Sequence, residues 1–185
     1  MQDRWIDFYL GNNFDHRGRT IEQLWSFSDR SLEAVHDYIQ WLFPLRSPSP
    51  YNPEAPLLND TSAAFARSSP EMRRRLLTSL QRMLHFYGLG LEPAADGSLV
   101  VVLDGERIDE RMEVWISDGN HNYLRITRML ACLSEVGLAA EARSFLGVLE
   151  ELYAVEDDLP RENRIGPRTL GFWRAACGVP GEDAG

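Results

Sequence analysis

Apolar residues recur at three- and four-residue steps through most of the chain, the period of helices with one buried face. The clearest case is Met72, Leu76, Leu77, Leu80, Met83, Leu84 and Tyr87. Ser69 stands ready to cap this segment, Pro70 fits the first helical position and Gly88 ends it, so a helix is predicted over 70–87. Arg73, Arg74, Arg75 and Arg82 fall on its flanks. Thr20 and Gln23 match a capping box and open a short helix over 21–26. With Ser28 or Asp29 as cap, the steps Leu32, Val35, His36, Ile39, Leu42 and Phe43 predict one helix running to Pro44.

Five prolines between 44 and 56 forbid regular helix, and Tyr51, Leu57 and Leu58 give that loop apolar handles, so it reads as ordered. Asp60 and Thr61 start a short helix through Phe65. Asp118 or Asn120 caps a helix running to Gly137 with Tyr123, Ile126, Leu130 and Leu133 inward. Another follows over 139–155, and Gly166-Pro167 opens the last. Leu99–Leu103, then Asp104-Gly105, then 108–116 suit a small β-hairpin near 98–117; a loose insertion is the competing reading. The fold class is therefore all-α, an irregular antiparallel helical bundle with room for that hairpin. Residues 1–178 read as a single domain with 179–185 a frayed tail.

At 185 residues the chain can bury roughly 70% of the surface its unfolded form exposes, enough for one sizeable core. No apolar run is long enough to span a bilayer, and Met1 to Trp5 carry acidic and polar interruptions unlike a secretory signal, so a cytoplasmic location is expected. The net charge of −9 opposes nucleic-acid binding. All 19 basic residues are arginine, which removes Schiff-base and P-loop lysine chemistry. Cys132 and Cys177 show no metal or disulfide spacing. No cofactor fingerprint appears, and His16, His36, His85 and His121 are too scattered for a zinc site. The His36-Asp37 doublet is one that metal-dependent phosphohydrolases share, but the further His and Asp ligands at helical spacing are missing.

His121, Arg125 and Arg128 stand at i, i+4 and i+7, a cationic stripe opposite Ile126, Leu130 and Leu133. Two planar guanidiniums suit a carboxylate or phosphate, with His121 adding a donor at a helix start. The bland alternative is a solvated face. In the run His36 to Pro44, Ile39, Leu42 and Phe43 belong to the core, and Trp41 caps it with its indole N–H sent to a partner. Tyr38 and Gln40 are polar groups that must be hydrogen-bonded or face a cleft, and Gln40 suits pinning the proline loop.

His36 to Pro44 together with His121 to Arg128 resembles the conserved domain of the opioid growth factor receptor family, where the strings HSYIQWLFP and HNNLRITRIL occur in the same order. Leu84 to Gly88 agrees in register, and the resemblance runs over about 20–155. Tyr123 stands where the family has asparagine. The resemblance implies an all-helical domain, and animal members are described as receptors for an enkephalin peptide that restrain cell growth. Two functions from different classes follow. One is a binding domain for a peptide or small anionic ligand held by His121, Asn122, Arg125 and Arg128 beside a groove lined by Tyr38, Gln40 and Trp41. The other is an enzyme acting on a phosphorylated substrate, with His121 or His36 as acid–base and the arginines stabilising charge.

Overall fold

A computed structural model describes residues 3–180. It is mostly helical, with ten helices and a two-stranded antiparallel hairpin among the described residues. The chain forms two compact units, residues 1–86 with 135–137, and residues 87–134 with 138–185. The expected tail lies, from residue 181, outside the described residues.

The first unit contains α1 (Arg4–Tyr9), α2 (Ile21–Trp25), α3 (Asp29–Ala34), α4 (Ile39–Leu42), α5 (Asp60–Ser68) and nearly all of α6 (Pro70–Tyr87). Local chemistry sets most of these boundaries. The Thr20–Gln23 capping box forms in both directions, Ser28 caps α3 through the Ser31 amide, and Asn59 and Ser62 make a second box at α5. Trp5, Phe8, Tyr9, Leu24, Leu76 and Leu80 are fully buried in this unit.

The helix expected to run unbroken to Pro44 is two helices. Val35 turns to extended backbone (φ −93°, ψ 132°), and the chain bends through His36 to Tyr38 before α4 begins. The break has a tertiary cause. Asp37 turns its carboxylate to Arg19 (2.7 Å) and Arg17 (3.1 Å), and Asn52 Nδ2 donates to the Asp37 carbonyl (2.8 Å), so both ends of residue 37 are used outside a helical ladder. The proline loop is ordered as expected, closed by the Ser49–Asn52 bridge, but Asn52 does the pinning expected of Gln40.

The second unit holds β1 (Leu89–Pro93), β2 (Leu99–Leu103), α7 (Ile108–Trp115), most of α8 (Asn122–Glu135), α9 (Ala139–Asp157) and α10 (Pro167–Ala176). The hairpin exists, yet β2 pairs backward with β1, Leu89 opposite Leu103, and the segment expected as its partner is the helix α7. Two Asp-Gly pairs compete for the turn. Asp96-Gly97 wins, with Gly97 at φ +83° and Asp96 accepting from the Ser98 amide (2.9 Å). The Asp104 carbonyl instead accepts from the Ile108 amide (2.8 Å) and starts α7, whose Ile108 and Trp115 are inward at helical spacing. Gly88 ends α6 at φ +78°, where a Cβ would lie 2.9 Å from Arg111 Cβ and Ile108 Cα.

Candidate functional site

The cationic stripe lies on the N-terminal half of α8, but it is not a surface stripe. Its residues differ sharply: His121 is exposed, Arg128 half-buried, Arg125 only 5% exposed and Asn122 fully buried. The reason is that α8 hides nearly all its faces, Leu124 being its one exposed residue.

Arg125 is aimed by a relay of amides. Its Nη1 donates to Asn122 Oδ1 (3.0 Å), which also faces the Tyr87 hydroxyl at 3.5 Å. Asn122 Nδ2 donates in turn to Asn120 Oδ1 (3.0 Å), and Asn120 Nδ2 donates to the Val114 carbonyl (3.1 Å) and Ser117 Oγ (3.0 Å). Asn120 Oδ1 accepts the Asn122 amide as well (2.9 Å), so the group that caps α8 also orients the arginine. Burial lowers the pKa of Arg128, whose guanidinium sits on the next turn of the helix.

The remaining candidates are in the first unit. Tyr38 is fully buried, its hydroxyl donating to the Leu32 carbonyl (3.1 Å). Trp41 is fully buried, its indole N–H donating to His16 Nδ1 (3.0 Å). Gln40 is 5% exposed, and its Oε1 is buried without a hydrogen-bond partner. A buried acceptor left unpaired is uncommon in a native fold and calls for an explanation.

Sequence reasoning did not find His16. It lies 25 residues from Trp41, inside an arginine-rich loop, and no spacing links the two. Its Nε2 faces Asp37 Oδ2 at 3.3 Å. Burial works to raise the Asp37 carboxyl, but hydrogen bonds and charge from Arg19 and Arg17 hold it below the ordinary carboxylate range. Asn120 was legible only as a cap. Among the described residues no group of three or more His, Cys, Asp and Glu is arranged to hold a metal ion, and no helix is long and apolar enough to cross a membrane. Cys132 and Cys177 are free thiols.

A mostly helical chain with the two signature segments in separate units is thus in place, and comparison with known proteins assigns it. Residues 5–162 match the opioid growth factor receptor (OGFr) conserved region, and the chain belongs to that family. It is 36% identical over 150 residues to the opioid growth factor receptor of Rattus norvegicus, covering 80% of this chain and 25% of that protein. Against the Homo sapiens receptor it is 39% identical over 118 residues, 64% of this chain and 17% of that protein. Opioid growth factor receptor-like protein 1 of Rattus norvegicus is 32% identical over 150 residues, 80% of this chain and 31% of that protein. The chain therefore spans about a quarter of the length of the curated relatives it matches. No solved structure matches it.

Proposed function

We propose that this chain is a ligand-binding domain that takes a peptide or small molecule by an anionic group, with Arg125 and Arg128 as the grip and His121 as an accessory donor. The observation that carries this reading is the Asn120–Asn122–Arg125 relay, which holds one guanidinium in a fixed direction beside a second, partly desolvated one. Planar guanidiniums held this way favour a carboxylate, which can accept two parallel N–H bonds. Relatives are named as receptors for opioid growth factor, which makes a peptide the first ligand class to examine.

The test is calorimetric titration of the full chain with the opioid growth factor peptide, its C-terminal amide, and inorganic phosphate. The free acid should bind at least about tenfold more tightly than the amide, as one charge-assisted bond of about 1.5–3 kcal/mol requires. Arg128→Ala should lose that preference while still showing a cooperative thermal transition, and Arg128→Lys should restore it in part. Equal binding of acid and amide, or an intact preference in Arg128→Ala, would remove the grip. Arg125 is too buried to be tested by truncation, because removing it leaves a cavity and takes one donor from Asn122 Oδ1.

A further inference from the structure

His16 is enclosed by groups that respond to its protonation state. An indole nitrogen can only donate, so the 3.0 Å contact from Trp41 Nε1 makes His16 Nδ1 a bare acceptor and places the single imidazole proton on Nε2, facing Asp37. The two rings are within 8° of parallel with centroids 6.1 Å apart, which suits an in-plane N–H···N bond. The His16 side chain is 10% exposed and Trp41 is fully buried, so bulk water does not reach the indole donor.

We propose that the His16–Trp41 pair is an acid-operated switch on the Gln40–Pro44 segment. A proton from solvent, admitted when the bond opens transiently, binds the Nδ1 lone pair and turns the acceptor into a donor. The Trp41 bond then breaks, while His16 remains with Asp37 as an imidazolium–carboxylate pair. The charged groups around it are Asp37 itself, Arg17 and Arg19 on that carboxylate, Asp15 bound to Arg19 (2.6 Å), and Arg4 from α1, 5.2 Å over the Trp41 ring. Two guanidiniums face the two carboxylates and a third lies over the indole. Asp37 is thus already shared with two arginines when the imidazolium forms, and the buried indole is the group that gives way. The consequence falls on the family's signature segment, because Trp41 follows Gln40 directly and packs edge-on against Phe8 of α1 (5.1 Å).

The experiment follows the Trp41 indole N–H and the His16 ring nitrogens by 15N-resolved nuclear magnetic resonance of the full chain between about pH 8 and pH 5, where imidazoles take up a proton. Trp41→Phe assigns the indole signal among the five tryptophans. At pH 8, Nδ1 should carry no proton, and on acidification the indole signal should leave its hydrogen-bonded position in step with a one-proton titration of His16. His16→Gln keeps an acceptor that does not titrate and should hold the indole signal fixed. If that variant does not fold, the ring-nitrogen shifts of the unaltered chain still decide. An indole signal constant while His16 titrates, one that moves alike in His16→Gln, or a protonated Nδ1 at pH 8 would overturn the switch.

Discussion

Ser79 has one hydroxyl proton and sits, fully buried on α6, between Tyr9 Oη and Trp25 Nε1, each 2.9 Å away. The proton order follows from what each atom can do. The Leu42 carbonyl (2.7 Å) and Ser79 Oγ both accept from the Tyr9 hydroxyl, while Ser79 Oγ also accepts from the indole of Trp25 and donates to the Arg75 carbonyl (3.3 Å). A branched hydrogen-bond network thus joins α2, α6 and α1 to the signature segment. Ser79→Ala should cost about 1–3 kcal/mol, because it takes the acceptor from the half-buried Trp25 indole and a partner from the buried Tyr9 hydroxyl. Tyr9→Phe should cost a similar amount, and the double variant should cost less than the sum by about 0.5 kcal/mol or more. Urea midpoints at constant slope measure this, and simple additivity would break the network. Local caps such as Thr20 and Ser28 could be read from the sequence, because donor and acceptor lie three residues apart. The partners of Ser79 and His16 could not, because 70, 54 and 25 residues separate them and no periodicity records such a contact.

Elements show where period alone misleads. Val35 and His36 continue the apolar steps of α3, yet charge on Asp37 and the Asn52 anchor break the helix, a tertiary effect that outweighs local propensity. Asp104-Gly105 and Asp96-Gly97 carry the same turn signal, and the choice rests on which flanking strand finds a sheet partner. The polypeptide after α9 is held by a different device. Glu156, near the end of α9, is 1% exposed and accepts two bonds from Arg161 (2.7 and 2.9 Å) and two from Arg164 (2.9 and 2.8 Å). Hydrogen bonds from Arg164 and Arg161 hold its pKa down to about 2 against the effect of burial, from an ordinary 4.5. A depressed carboxyl stabilises the fold above its unfolded value and loses that contribution as pH falls toward the folded one. The clasp should therefore contribute on the order of 2–3 kcal/mol near neutral pH. Its contribution should fade between about pH 4.5 and 2. Glu156→Gln should lower stability at pH 7 and flatten the acid limb of a stability–pH curve; equal slopes in both proteins would show that the clasp is not linked to folding. The same loop takes the Tyr123 hydroxyl on the Arg164 carbonyl (3.2 Å), and burial pushes that phenol up to about 12.

For the whole molecule, helical content and family were legible, because capped periodic segments and two long motifs carry them along the chain. The candidate site was legible as residue types and not as geometry. Spacing placed Arg125 and Arg128 on one face, but only packing decides that the face is largely buried and that Asn120 aims the arginine. The division into units was not legible, since the first unit borrows residues 135–137 from far along the sequence. That borrowed piece is gripped by backbone capping. Arg67 Nη1 donates to the Glu135 carbonyl (2.7 Å), Arg73 Nη1 to the Gly137 carbonyl (2.9 Å), and Arg46 pairs with the Glu135 carboxylate (2.6 Å). Gly137 sits at φ +91°, and a Cβ there would come within 3.2 Å of Arg67 Cγ. Gly137→Ala should cost about 1–3 kcal/mol by thermal unfolding, as strain in the left-handed region does; an unchanged midpoint would show that the grip is loose.

The same grip sets a timetable for synthesis. A ribosome that has just released Phe86 must still add the 51 residues from 87 to 137 before the carbonyls for Arg67 and Arg73 exist. At about 5–20 residues per second, that interval is about 3–10 seconds. Until it ends, the nascent first unit is one segment short of closure.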